Sequence, residues 1–112
     1  MRLREQTRYN SLKVMENKHL VQLREVVTDF FKDDEVKIIL FGSRARGESS
    51  YFSDVDIGVL PSSNFDTKKI PLLEEKMGEF NIPFKVEIIN LLETSSELRQ
   101  QALKDAVVWK NY

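Results

Sequence analysis

Residues 41–60 read FGSRARGESSYFSDVDIGVL and join two predicted strands through a glycine-serine turn. The stretch begins at the end of an apolar, β-branched run, VKIILF at residues 36–41, which predicts a buried strand. It ends in the alternating run VDIGVL at residues 55–60, which predicts a second strand that stops at Pro61. Between the two, GSRARGE predicts a turn with about one turn of helix, and SSYFS predicts a loop.

Helical and extended patterns alternate on both sides of this stretch. Apolar residues recur at helical spacing before the first strand and after Pro71, so each segment predicts an amphipathic helix. A last helix opens at an N-cap on Thr94 or Ser95, with an acidic residue in its first turn. The helices are therefore expected at residues 17–31, 71–80 and 94–109, and a third strand, FKVEIINLL, at residues 84–92.

The order of these elements predicts an α/β (α+β) fold with a small sheet of at least three strands and flanking helices. A chain of 112 residues suits one domain with one core. Residues 1–16 are polar and charged without a clean period, and we interpret them as an N-terminal tail or short helix. Residues 17–112 are expected to form the single domain.

Composition excludes several classes of function. The formal net charge is −1, with 17 basic and 18 acidic residues, so we expect no direct binding of nucleic acid. No apolar run approaches the roughly 20 residues of a membrane span. The absence of cysteine excludes disulfides and thiolate metal sites and fits a cytoplasmic location. The one histidine, His19, excludes a His-rich zinc site, and its place on the first helix predicts a structural or exposed side chain.

Asp54 and Asp56 are the candidate chemical residues, because residues two apart in a strand lie on the same side. Two adjacent carboxylates repel one another, so they share a proton or bind a hard divalent cation. The alternative is a turn-initiating Asp followed by an exposed strand Asp. Gly42-Ser43 directly follows a strand and offers backbone N–H groups and a hydroxyl to an anion, or else forms an ordinary tight turn. Together they predict a phosphate cradle near a carboxylate pair.

The stretch GSRARGESSYFSDVDIGV resembles the G-S-(x10)-D-x-D signature of the DNA polymerase β-like nucleotidyltransferases, and closely resembles the minimal nucleotidyltransferases. The resemblance extends more loosely through residues 82–109. It implies a small mixed sheet with flanking helices, in the nucleotidyltransferase (polymerase β palm-like) fold. It also implies nucleotidyl transfer with ATP as co-substrate and two Mg²⁺ ions as cofactor, chemistry that needs no histidine base.

The resemblance assigns a role to each candidate residue. Three carboxylates would hold the metal ions and serve catalysis, the third of them coming from the third strand. The glycine-serine turn would contact the terminal phosphates of ATP, and either Arg44 or Arg46 is long enough to reach a phosphate or the pyrophosphate. The alternative for the arginines is a solvated pair that balances nearby acids. The implied metal-binding and catalytic residues are Asp54, Asp56 and Glu87, and the phosphate-binding residues are Gly42, Ser43 and Arg46.

Glu87 departs from the family pattern, in which the third carboxylate is usually Asp. It is the only acid in the third predicted strand, so it is the candidate there. Its extra methylene moves the carboxylate by about one bond length, and Mg²⁺ demands near-ideal octahedral geometry. Lys85 lies two residues back on the same face, and we expect it to pair with Glu87 and compete with the metal.

By this resemblance, the chain is expected to act as an antitoxin that transfers AMP from ATP to a tyrosine of a HEPN ribonuclease toxin, with which it forms a hetero-oligomer. One alternative is a catalytically weak or inactive antitoxin that neutralises the toxin by binding; the Glu87 substitution favours it. Another is a small-molecule nucleotidyltransferase of the aminoglycoside-modifying kind. The expectation of one domain counts against that last alternative, because larger relatives carry a further domain for the acceptor.

Overall fold

The computed structural model describes residues 18–47 and 54–112, and four strands within them form one sheet. The strand order is β3-β2-β1-β4, so the two apolar strands that flank the glycine-serine turn lie at the centre. The predicted α/β class is confirmed, and the three predicted strands are joined by a fourth. The strands are β1 (Val36–Phe41), β2 (Val55–Pro61), β3 (Val86–Asn90) and β4 (Val107–Lys110).

The sheet is mixed, as the resemblance implied. β1 pairs antiparallel with both β2 and β4, whereas β2 pairs in parallel with β3. A parallel pair requires a crossover, and the chain between β2 and β3 supplies one as a helix, α3 (Lys69–Met77). The crossover brings the start of β3 beside the start of β2. This parallel pair therefore positions the candidate acids.

Helices cover both faces of the sheet. The other helices are α1 (Lys18–Phe30), the short α2 (Ser43–Arg46) and α4 (Ser96–Lys104). One face packs against α1 and α3, with Leu23, Val27 and Leu73 fully buried, and the other packs against α4 through Ala102. None of these four described helices combines the length and the apolar character that crossing a membrane requires.

The last helix is shorter than its sequence pattern predicts. The N-cap prediction is confirmed at Ser95, whose Oγ accepts a hydrogen bond from the Leu98 N–H at 3.2 Å. The helix ends at Lys104, however, so the prediction of a helix over residues 94–109 is wrong at its C-terminal end. Val107–Lys110 is β-branched and aromatic, and it gains a ladder of hydrogen bonds by pairing with β1. Its Trp109 is buried in the core on the α1 side.

The other boundaries differ by a few residues. α3 begins at Lys69, ahead of the predicted start at Pro71, because proline within the first turn removes no intrahelical hydrogen bond. The expectations for residues 1–16 and for the loop at residues 49–53 lie outside the described residues. The assignment of residues 17–112 to a single domain likewise stays a prediction.

Candidate active site

Three acidic side chains lie at one end of the β2–β3 pair. Asp54 directly precedes β2, Asp56 is the second residue of β2, and Glu87 is the second residue of β3. The parallel register makes Asp56 and Glu87 Cα partners on adjacent strands. Val55, between the two aspartates, is fully buried. Because successive side chains in a strand point to opposite faces, the two aspartates lie on the face opposite to that of Val55.

The carboxylates affect one another electrostatically. Burial raises the pKa of Asp56 above its ordinary value of 3.8, and the negative charges of Glu87 and Asp54 raise it further, as does a side-chain hydrogen bond with Glu87. All of these causes disfavour a second or third negative charge at the same place. The cluster therefore favours the uptake of a proton or of a cation.

Lys85 supplies a positive charge to this cluster. Its Nζ lies 3.1 Å from Oε1 of Glu87, which confirms the predicted ion pair. The hydrogen bond to Glu87, together with the charges of Glu87 and Asp54, raises the pKa of Lys85. One ammonium group thus interacts with two of the three carboxylates.

Gly42 lies against the carboxylate of Asp56 and has a backbone that glycine alone adopts readily. Its φ is 77° and its ψ is −157°, and a Cβ atom added there would lie 2.6 Å from Oδ2 of Asp56. The β1–β2 register explains the approach, because Phe41, the preceding residue, is the Cα partner of Asp56. Ser43 then begins α2, so the predicted turn and short helix both occur at this position.

The two arginines of α2 contact groups that the sequence pattern did not indicate. Cζ of Arg44 lies 4.7 Å from the centroid of the Phe84 ring, within the range of a cation–π interaction. Nη1 of Arg46 lies 3.8 Å from Oδ2 of Asp105, the residue that follows α4. Arg46 is therefore oriented at least partly by α4. Neither partner carries a sequence signal, because both are distant in the chain and belong to no motif.

The donor set at this site fits a hard divalent cation in chemistry, but its geometry is not that of a completed metal site. All three candidates are carboxylates, the ligands that Mg²⁺ prefers, and the pKa of Asp56 is raised first by burial and then by the negative charges of Glu87 and Asp54. Within residues 18–47 and 54–112, however, no three His, Cys, Asp or Glu side chains are arranged to hold one metal ion. Glu87 is already engaged by Lys85. A complete ligand set therefore requires Glu87 to exchange its partners.

The burial of Asp56, together with the neighbouring negative charges, has a measurable consequence for stability. The raised pKa of Asp56 means that its stabilising contribution is full below 3.8 and is lost as the pH rises through the folded-state pKa. We therefore expect Asp56→Asn to stabilise the metal-free protein at pH 7. The gain should be below about 1 kcal/mol because the site is partly exposed, which corresponds to at most about 4–8 °C in Tm.

Thermal unfolding in a chelating buffer tests this expectation. The difference in Tm between Asp56→Asn and the wild type should be larger at pH 7 than at pH 4, since the wild-type carboxyl is more protonated at pH 4. A variant that melts at or below the wild-type temperature at pH 7 would show that burial and the neighbouring charges do not penalise the ionised Asp56 carboxylate as described.

A protein-family model matches most of the chain and agrees with the fold and the carboxylate cluster. Residues 25–111 match the family model described as "Polymerase beta, Nucleotidyltransferase". The chain therefore belongs to the polymerase β-type nucleotidyltransferase family. The predicted family and the predicted enzyme class, a transferase of nucleotidyl groups, are both confirmed.

Relatives with similar sequences carry a narrower description. "Probable protein adenylyltransferase MntA" of Haemophilus influenzae is 27% identical over 86 residues, which cover 77% of this chain and 70% of that protein. "Putative protein adenylyltransferase MJ1305" of Methanocaldococcus jannaschii is 31% identical over 101 residues, covering 73% of this chain and 67% of that protein. Both names describe a transferase whose acceptor is a protein.

Solved structures share the fold. One described as "Structure of putative minimal nucleotidyltransferase" has a TM-score of 0.65 and 26% identity, covering 81% of this chain and 93% of that chain. Another, "Crystal structure of the toxin-antitoxin with AMP-PNP", has a TM-score of 0.62 and 24% identity, covering 80% of this chain and 73% of that chain. At 24% identity, the similarity to this second structure shows a shared fold.

Proposed function

We propose that this chain is a Mg²⁺-dependent protein adenylyltransferase, which moves AMP from ATP to a tyrosine of a HEPN ribonuclease toxin and acts as its antitoxin. The observation that carries the proposal is the convergence of Asp54, Asp56 and Glu87 at the start of two adjacent strands, with Gly42 against Asp56. Membership of the nucleotidyltransferase family supports the reaction type. The names of the two relatives support a protein as the acceptor.

The partner and the nucleotide have separate support. A structure with the same fold is described as a toxin-antitoxin with AMP-PNP, a compound that stands in for ATP. The HEPN class of the toxin and the tyrosine acceptor rest on the resemblance to minimal nucleotidyltransferases.

In this proposal the three carboxylates Asp54, Asp56 and Glu87 would hold two Mg²⁺ ions. The ions, when bound, neutralise charge on the triphosphate and lower the pKa of the attacking hydroxyl. Gly42 leaves room beside Asp56 because it has no side chain, so the triphosphate can approach the backbone closely. Ser43 offers its hydroxyl and Arg46 its guanidinium to the phosphates.

The reaction itself is a substitution at phosphorus. The tyrosine oxygen forms a bond to the α-phosphorus of ATP, and the bond from that phosphorus to the pyrophosphate oxygen breaks. Pyrophosphate leaves with both electrons of the broken bond, and the hydroxyl proton is released to water. The protein's task is to hold the two reactants in line, which is the larger part of catalysis in nucleotidyl and phosphoryl transfer.

The mass of the toxin tests the proposal. A HEPN protein encoded beside this chain, incubated with the chain, ATP and Mg²⁺, should become heavier by one or more AMP units. Omission of Mg²⁺, or use of an Asp54→Asn/Asp56→Asn variant, should leave the mass unchanged. An unchanged mass with the wild-type chain and all components present would refute protein adenylylation of that partner.

A second candidate is an antitoxin that masks the toxin without chemistry. The ion pair between Lys85 and Glu87 favours it, because it engages the third carboxylate in a contact that a metal would have to break. Under this candidate, the Asp54→Asn/Asp56→Asn variant still suppresses the ribonuclease activity of the toxin, whose mass does not change. If this variant loses both the suppression of the ribonuclease and the mass increase of the toxin, the adenylyltransferase is favoured over masking.

A further inference from the structure

We infer that Lys85 is a tethered cation that competes with the divalent metal for Glu87, so that the third ligand becomes available only when the ammonium group moves away. The inference rests on the proposed metal site of Asp54, Asp56 and Glu87, and it concerns how strongly that site binds. In this role Lys85 is a positioning residue that weakens and tunes metal binding.

The backbone holds Lys85 at the site independently of its side chain. The carbonyl oxygen of Lys85 accepts a hydrogen bond from the N–H of Val55 at 2.9 Å, and Val55 separates the two aspartates. Val55 and Val86 are Cα partners, so the residue before each of them, Asp54 and Lys85, lies at the same end of the strand pair. Phe84, which is 9% exposed, anchors the backbone just ahead. Only the side chain of Lys85 is therefore free to leave.

The ammonium group of Lys85 contacts one carboxylate of the cluster and interacts electrostatically with a second. It contacts Oε1 of Glu87 at 3.1 Å and interacts electrostatically with Asp54, while Glu87 is the Cα partner of Asp56 on the adjacent strand. A divalent ion that gathers all three carboxylates must take Glu87 from Lys85. It would also repel an ammonium group left nearby.

The exposure of the pair makes Lys85 a competitor rather than a permanent block. The Lys85 side chain is 66% exposed and that of Glu87 is 43% exposed. Exposed ion pairs contribute little because water and salt screen them. The pair can therefore open when a metal ion arrives. Glu87, one methylene longer than Asp, has the additional reach to turn between the two partners.

An ion pair elsewhere in the chain provides a matched comparison. Nζ of Lys32 lies 3.9 Å from Oδ1 of Asp29, and the Lys32 side chain is also 66% exposed. That pair spans three residues at the end of α1, away from the acids of the sheet. Removing the Lys32 charge removes a lysine of equal exposure, whose acidic partner Asp29 is 71% exposed, without touching the proposed site.

Isothermal titration of the full-length chain with Mn²⁺, which binds oxygen ligands as Mg²⁺ does, tests the inference. Lys85→Met should bind Mn²⁺ about tenfold more tightly than the wild type at low salt. Lys85→Arg keeps the charge and should bind no more tightly than the wild type, as should Lys32→Met. Adding Glu87→Gln to Lys85→Met should remove most of the gain. The gain should also shrink as the salt concentration rises.

The outcomes separate this inference from the proposed function. If Lys85→Met binds Mn²⁺ as the wild type does, or more weakly, the inference is overturned, and the mass of the toxin still decides the proposed function independently. An equal gain in Lys32→Met would show a general charge effect and would also overturn the inference. If neither the wild type nor Lys85→Met binds Mn²⁺, both the inference and the metal site on which it rests fail.

Discussion

The Asp56→Asn variant should lose adenylyl transfer almost completely, by about a thousandfold or more in kcat/KM, because a metal ligand supplies several kcal/mol of transition-state stabilisation. Asp56 is the central carboxylate of the cluster. It pairs in register with Glu87 on β3 and lies against Gly42 after β1. The amide keeps the shape of the carboxylate but removes the charge that a cation needs. The measurement is the initial rate of AMP incorporation into the toxin.

The matched control is Asp33→Asn, which makes the same chemical change at an exposed turn after α1. It should transfer AMP at the wild-type rate. The Tm of Asp56→Asn is measured alongside, because a variant that melts no lower than the wild type loses activity for a reason other than unfolding. If Asp56→Asn transfers AMP at a rate within tenfold of the wild type, Asp56 is not a ligand of the proposed metal site.

The Gly42→Ala variant should lose both stability and activity. The backbone of Gly42, at φ 77° and ψ −157°, lies in a region that is essentially restricted to glycine, where another residue costs about 1–3 kcal/mol. The added methyl would also lie 2.6 Å from Oδ2 of Asp56 and displace that carboxylate. We expect a decrease of about 4–8 °C in Tm for each kcal/mol lost. A displacement of about 1 Å should lower the rate of transfer by roughly a hundredfold.

Gly78→Ala provides the comparison for this change. Gly78 has φ −62° and ψ −16°, a right-handed helical backbone that alanine adopts readily. A Cβ there would lie 3.3 Å from the carbonyl oxygen of Glu75, where the helix end can adjust. Its Tm should change by a few degrees at most. If the two variants melt at the same temperature, Gly42 is not under the constraint described.

Local pattern was sufficient to predict the strands and helices that form the site. β1, β2 and β3 each correspond to an apolar or alternating run, and α1 and α3 to helical spacing of apolar residues. The contact between Lys85 and Glu87 was likewise predictable, because both lie in one strand segment and share a face. These predictions succeeded because the interactions concerned involve neighbours in sequence.

What could not be predicted depends on pairing between distant parts of the chain. β4 was missed because Val107–Lys110 directly follows a helical pattern, and only its ladder with β1 identifies it as a strand. The register that sets Asp56 beside Glu87 depends on the crossover through α3, which leaves no local trace. The same holds for the contact between Arg46 and Asp105, since nothing in either segment marks the other.

The ion pair between Lys85 and Glu87 distinguishes the two proposed functions. If Lys85 stays on Glu87, the fold holds two aspartates with no third ligand, and the second proposed function, masking of a toxin without chemistry, is the one that remains. If a metal displaces Lys85, the same side chains form a nucleotidyl-transfer site. The choice is therefore a competition between an ammonium group and a divalent ion for one carboxylate, in a partly exposed setting where neither contact is strong.

A crystal of the chain soaked with Mn²⁺ and AMP-PNP shows whether the three acids hold a metal ion together, because anomalous scattering identifies Mn²⁺ directly. We expect a Mn²⁺ peak beside the carboxylates of Asp54, Asp56 and Glu87, with Glu87 no longer paired with Lys85. Glu87 still paired with Lys85, and no anomalous peak among the three acids, would contradict this expectation.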